Sequence, residues 1–195
     1  MAPTFIFIRH GEAEHNVAFH TIGLSAFTKE EYRDAPLTEK GREQGQTLAS
    51  KLKEYKILDI WSSPLTRAIQ TAEELFEELD CGKINLHDNL LELLGGGNVC
   101  NERMSKHDIK KAYGHWTTTY LADTPAQWIT FENPYALQQR MLMFVMLMAE
   151  IYKEEPPSRH LIVVSHANAL AALTGEKLEN AECKFMTLDE IMKSL

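Results

Sequence analysis

The chain has 195 residues, 44% of them hydrophobic and 25% charged, which suits one domain with a real core and excludes disordered, collagen-like and fibrous architectures. With 28 acidic and 20 basic side chains the net charge is -8, a field that opposes nucleic acid and anionic membrane surfaces but not a small anion met by clustered cations. Three widely spaced cysteines, Cys81, Cys100 and Cys183, form neither a disulfide framework nor a zinc-ligand spacing, so a reducing compartment, the cytoplasm, is expected.

The opening MAPTFIFIRH lacks the basic start and the long apolar run of an export signal. Residues 4–8 read as a buried strand that ends in Arg9, His10, Gly11 and Glu12. After a polar stretch, Thr38 is an N-cap for a helix running toward Tyr55. Residues 57–61 form a second buried strand. Ser63 then caps, and Pro64 opens, a helix whose apolar positions Leu65, Ala68, Ile69, Ala72, Leu75, Phe76 and Leu79 keep helical spacing, with Arg67 near its start.

A short strand is expected over 84–86. Residues 95–134 read as an irregular insertion, glycine-rich at its start and holding Trp116 and Trp128. Insertions of this kind tend to cover the ligand end of a sheet, so this one is expected to cover the substrate. A long helix follows over 135–152. Its most apolar part, 141–149, is half a bilayer crossing, and its four methionines read as core filler. Residues 160–164 form a strand that ends in Ser165 and His166 and passes into a short Ala/Leu-rich helix. A last strand is expected over 184–188. The alternation predicts a single three-layer α/β/α domain over residues 1–195, with a mostly parallel central sheet and helices on both faces.

Three strand endings carry the chemistry. In open α/β sheets ligands lie beyond the carboxyl ends of the strands, where Arg9, His10, Arg67 and His166 converge if these strands are neighbours. Helix N-termini after two of these endings add free N–H groups, so the site favours an anion, and phosphate is its natural occupant. Arginine binds two phosphate oxygens at once and keeps its charge. Neutral imidazole is a nucleophile near pH 7 and can capture a phosphoryl group pressed against it. Gly11 would let the backbone approach the site closely. The leaving oxygen needs a proton from a carboxylic acid, and Glu92, just before the Gly95–Gly97 run, is best placed by spacing. His10, His15 and His20 recur every five residues, which does not put them on one helix face, and no metal site is expected.

These blocks resemble the histidine phosphatase superfamily of phosphoglycerate mutase-like fold, in its larger branch. The resemblance rests on Arg9-His10-Gly11-Glu12 with Asn16, on Leu37-Thr38-Glu39-Lys40-Gly41 with Gln44, on Ser63-Pro64-Leu65-Thr66-Arg67-Ala68 with Thr71 and Ala72, and on Val164-Ser165-His166, four blocks in the family's order. It implies that His10 is the phosphorylated nucleophile, that Arg9, Arg67 and His166 grip the phosphoryl oxygens with Asn16 helping from the rim, and that Glu92 protonates the leaving alcohol. It implies no metal and no organic cofactor. Ala167 and Asn168 follow His166 where the family has glycine, a change expected to adjust the pocket floor slightly. The stretch GGGNVCNER is similar to a phosphomutase-like subgroup of fungi and plants with a cysteine, an Asn or Asp, and an arginine.

Arg103, Lys106, His107, Lys110 and Lys111 form the one locally basic stretch. Arg103 is a candidate for substrate selection, as part of a lid that reads a second anionic group. A solvated helix face is the favoured account of the stretch as a whole. The expected activity is hydrolysis of a small phosphorylated metabolite. A phosphoglycerate-type mutase is the enzymatic alternative, disfavoured because mutases need longer closing insertions, and an inactive phosphate-binding or scaffolding relative is the alternative of a different class.

Overall fold

Apolar runs without alternation are what strands covered on both faces require, and they form the centre of the sheet. The computed structural model describes residues 2–124 and 131–195, and Trp128 lies outside the described residues. The strands are β1 (Thr4–Arg9), β2 (Lys56–Ser62), β3 (Ile84–His87), β4 (Thr117–Tyr120), β5 (Arg159–Ser165) and β6 (Cys183–Met186). They lie in the order β4-β3-β2-β5-β1-β6, with β6 alone antiparallel to its neighbour. The helices are α1 (Glu14–Ile22), α2 (Glu39–Leu52), α3 (Thr66–Glu78), α4 (Lys106–Tyr113), α5 (Pro134–Ile151), α6 (Ala167–Thr174) and α7 (Leu188–Ser194).

Alternate residues of the central strands feed two separate cores. Ile6, Ile8, Ile60, Ile162 and Val164 pack with Leu48, Leu52, Ala68, Ile69, Ala72 and Leu75 of α2 and α3. Phe5, Phe7, Trp61, Leu161 and Val163 pack with Met141, Phe144, Val145, Met148, Leu170 and Leu173 of α5 and α6. The three expected layers follow.

Several boundaries differ from expectation. The polar stretch after Glu12 contains α1, whose cap Ala13 offers no side-chain oxygen. Asn16 supplies one instead, its Oδ1 accepting from Ala13 N at 3.0 Å. Ser63 does not cap α3, which starts at Thr66, because its hydroxyl is engaged elsewhere. The carboxylate of Asp34 takes that role, accepting from Thr66 N at 2.8 Å. The last strand stops at Met186, where a capping box between Thr187 and Glu190 turns the chain into α7. The 95–134 stretch is not wholly irregular, since it contributes α4 and the edge strand β4. Of the four methionines of α5, Met141 and Met148 are buried, whereas Met143 and Met146 are exposed.

The motif blocks brace one another. Glu12 N donates to Gln44 Oε1 at 2.8 Å, Gly11 N to Thr71 Oγ1 at 3.0 Å, and Thr38 N to the Glu12 carbonyl at 2.9 Å. Gly11 was expected to make room for ligand, but the space a side chain would need there is filled by Gly41, whose carbonyl oxygen would be 2.4 Å from a Cβ. Gly41 is equally constrained, since a Cβ on it would stand 2.0 Å from the Glu12 carbonyl oxygen. Glycine to alanine inside an ordinary helix stabilises by about 1 kcal/mol. Gly41→Ala is expected to reverse that sign and cost about 2 kcal/mol by overpacking, read as a lowered urea midpoint.

Candidate active site

Register brings the site together. Arg9 pairs with Ser165 and Ser62 with Val164, so β1, β2 and β5 end level. The ladder runs one step further through His10 N to the Ser165 carbonyl at 3.0 Å and Ser63 N to the Val164 carbonyl at 2.9 Å. The rings of His10 and His166 therefore stand 5.1 Å apart between centroids. In front of them opens a cavity of about 380 Å³ whose lining includes Arg9, His10, Asn16, Arg67 and Glu92. His166 is fully buried beside it.

The hydrogen bonds define which imidazole atoms are free. His10 Nδ1 lies 2.7 Å from the Gly11 carbonyl, which can only accept, so the proton sits on Nδ1. Nε2 keeps its lone pair and accepts from Arg67 Nε at 3.2 Å. His166 Nε2 is 2.7 Å from Ser63 Oγ, and its buried Nδ1 has no protein partner. The Leu65 N–H also donates to Ser63 Oγ, at 3.4 Å, and when the serine hydroxyl donates to His166 Nε2 the imidazole hydrogen sits on Nδ1. Arg67 is buried with every nitrogen engaged, Nη1 on the Cys100 carbonyl at 2.7 Å and Nη2 on Asn101 Oδ1 at 2.9 Å. Arg9 places Nη1 on the Leu178 carbonyl at 2.9 Å and leaves a buried Nε without a partner.

Glu92 sits at the start of α6. Its Oε1 accepts from Leu93 N at 2.7 Å and Ala169 N at 3.1 Å, and its Oε2 from Asn168 N at 3.1 Å. The segment that carries it is held by Arg140, which donates to the carbonyls of Asn89, Leu91 and Glu92 while pairing with both carboxylate oxygens of buried Glu132.

Five expected residues thus line the pocket, with His166 immediately behind. Arg103 does not belong with them. It is buried, pairs with Asp88 at 2.8 Å and donates to the carbonyls of Met104 and Ala122, holding these loops together outside the pocket lining. His107, Lys110 and Lys111 form the expected solvated face of α4. Glu12 binds Thr38 and Lys40 at the start of α2. Sequence reasoning missed Asn101, whose signal was its place in the Cys-Asn-x-Arg run. It missed Asn180 as well, whose Nδ2 donates to the His10 carbonyl at 3.0 Å and for which no pattern existed. His15 was considered only as a metal ligand, yet its ring lies 6.0 Å from that of His10, and Asn16 Nδ2 donates to its Nε2 at 3.1 Å.

Burial, and then the positive charge of Arg67, holds His10 and His166 well below the ordinary imidazole range and His15 at about 2. All three are neutral at pH 7. Burial also pushes the Cys100 thiol up, so its carbonyl and not its sulfur serves the site.

A level row of parallel strands ending in paired histidines and arginines defines a site whose fold and side chains place the protein in one class. The chain belongs to the histidine phosphatase superfamily (branch 1), whose family model matches residues 5–188. It is similar to a probable phosphoglycerate mutase of Photorhabdus laumondii, 31% identical over 86% of this chain and 71% of that protein. It also resembles an adenosylcobalamin/alpha-ribazole phosphatase of Salmonella typhimurium, 28% identical over 88% of this chain and 77% of that one. Among solved structures, its fold is similar to the ecdysone phosphate phosphatase of Bombix mori, with a TM-score of 0.70 at 16% identity, covering 96% and 90% of the two chains. A mycobacterial glucosyl-3-phosphoglycerate phosphatase superposes with a TM-score of 0.65 at 21% identity, covering 95% and 91%.

The neutral histidines set the acid limb of stability. Their folded-state affinities for protons lie below the unfolded value near 6.5, so stability is fully present above that pH and is lost as pH falls below it. Asp34 acts oppositely, because burial raises it from 3.8 to about 6 and the folded state then binds the extra proton. Burial lowers His87 too, to about 4, so near pH 5 four protons taken up on unfolding less one released leaves about three, or about 4.1 kcal/mol lost per pH unit. Urea titrations between pH 7 and 5 should show this slope, and His15→Asn should remove about one proton from it.

Proposed function

We propose that the chain hydrolyses phosphomonoesters of small metabolites through a phosphohistidine on His10. The observation that carries this reading is the His10 tautomer: with Nδ1–H bound to the Gly11 carbonyl, the Nε2 lone pair faces the pocket beside Arg67. In the proposed sequence a phosphoryl group enters with its oxygens against Arg9, Arg67 and the Nδ1–H of His166, while Asn16 shapes the rim. Nε2 attacks phosphorus as the ester bond breaks, and Arg67 Nε shifts from the nitrogen lone pair to a phosphoryl oxygen. The departing alkoxide takes a proton from Glu92. Water then attacks the phosphohistidine, its proton passes to the Glu92 carboxylate, and inorganic phosphate leaves with His10 restored.

Neutrality of His10 supports the nucleophile role, since an imidazolium has no lone pair to offer. The front of the 95–134 insertion supports a covering role, because Asn98, Cys100 and Asn101 line the cavity. Three free cysteines fit the reducing cytoplasm. Mutase names among the relatives supply the second reading. Against it stands the cation content of the pocket lining, where, among the described residues, Lys177 alone joins Arg9 and Arg67 to meet a second anionic group.

An aryl phosphate incubated with the protein in EDTA should yield turnover and an acid-labile phosphoenzyme, and His10→Ala should abolish the phosphoenzyme and cut turnover at least about a thousandfold. Absence of both in the native protein would sink catalysis, and transfer to glycerate in preference to water would establish the mutase. Glu92→Gln should slow an alkyl ester about a hundredfold, the ordinary reach of a general acid. An aryl ester, whose leaving group hardly needs the proton, should lose less than about tenfold; equal losses would move the acid elsewhere.

A further inference from the structure

Beside its phosphate-handling groups, the cavity has an apolar wall that phosphoryl transfer does not require. Phe19 from α1, with Leu24 and Phe27 from the 3-10 turn Gly23–Phe27, line it. The Phe19 and Phe27 rings stack at 5.2 Å with planes 8° apart. Phe27 meets the His15 ring edge-on at 6.1 Å, and His15 lies 6.0 Å from His10. Aromatic surface thus runs from the nucleophile outward to the mouth. There Leu24 is 74% and Phe19 41% exposed. Large apolar side chains kept in water around a cavity gain from an apolar occupant that covers them.

The charges agree. Arg67 spends its nitrogens on Cys100, Asn101 and His10, and Arg9 places one on Leu178. Lys177 contributes a single hydrated ammonium, which suits the second negative charge of one phosphoryl dianion and lacks the planar fork that reads a carboxylate or a second phosphate. Of the remaining lining, Asn98, Asn101 and Asn168 are neutral, and Glu92, the acidic side chain there, offers no attraction to a second anionic group.

We infer that the alcohol released by this site is uncharged and carries a flat apolar group, aryl or alicyclic, seated against Phe19, Leu24 and Phe27. The inference rests on the proposed phosphoryl site but not on its turnover.

Non-hydrolysable phosphonates separate the two. Calorimetry at pH 7 would compare 2-phenylethylphosphonate, ethylphosphonate and 3-phosphonopropionate on the whole chain. The phenyl ligand should bind at least about tenfold tighter than the ethyl one, as apolar pockets discriminate, and the carboxylate ligand no tighter than ethyl. Phe27→Ala and Leu24→Ser should each shrink the phenyl-to-ethyl ratio about threefold or more. Leu24 lies at the surface, so Leu24→Ser keeps the fold and tests the wall even where Phe27→Ala loses it. Equal binding of phenyl and ethyl, preference for the carboxylate, or a ratio that neither variant moves would overturn the inference. Turnover of 2-phenylethyl phosphate is scored separately: its absence with the binding ratio intact would remove hydrolysis while leaving the ligand class standing.

Discussion

A guanidinium taken out of water costs several kcal/mol unless its N–H groups find acceptors, and Arg67 is 1% exposed. Its acceptors come from the loop 33 and 34 residues further along the chain, the Cys100 carbonyl and the Asn101 amide, together with His10. The need to satisfy one buried cation therefore draws that loop over the carboxyl ends of the strands. Two other arginines repeat the device. Arg103 gathers Asp88 and the carbonyls of Met104 and Ala122, and Arg140 gathers Glu132 and the carbonyls of Asn89, Leu91 and Glu92. Much of the chain between Asp88 and Met104 has no helix or strand ladder to position it; guanidinium groups do so instead.

The same cation controls the chemistry of its neighbours. A protein of net charge -8 would raise histidine proton affinity if its field were uniform. Burial overrides that average, and Arg67 adds to the effect for His10, His15 and His166. Three neutral imidazoles result, that of His10 with a lone pair facing Arg67 and those of His15 and His166 with a buried Nδ1 that has no protein partner. The overall charge governs what approaches the surface, whereas the desolvated arginine governs the protonation state within.

The central strands were legible because full burial on two faces leaves an unbroken apolar run, as in Phe5 to Ile8 and Leu161 to Val164. Their endings were legible for the same reason, since Arg9, His10 and His166 interrupt those runs abruptly. Elements stabilised by distant partners were not. α1 lacks a capping side chain of its own, and β4, Thr117-Thr118-Thr119-Tyr120, is a polar edge strand that only its pairing with β3 reveals. The burial of Arg103 is not legible in a run of basic residues, because its partner Asp88 lies fifteen positions earlier. Ser63 resembled a helix cap, but its hydroxyl orients His166 and the capping carboxylate comes from Asp34.

Glu92, the acid of the proposed reaction, poses a sharper question, because three backbone N–H groups at or near a helix N-terminus already claim its two oxygens. The two oxygens are not equivalent. Oε1 accepts from Leu93 and Ala169 and has both lone pairs engaged, while Oε2 accepts from Asn168 alone. A proton can therefore reside on Oε2 without breaking any of the three bonds. Those bonds in turn fix the carboxyl orientation, so the acidic hydrogen has one oxygen to occupy. In the proposed reaction the N-terminus of α6 would serve both halves: its N–H groups meet the carboxylate left when the alcohol departs, and they keep the same oxygen in place to receive the proton of the attacking water.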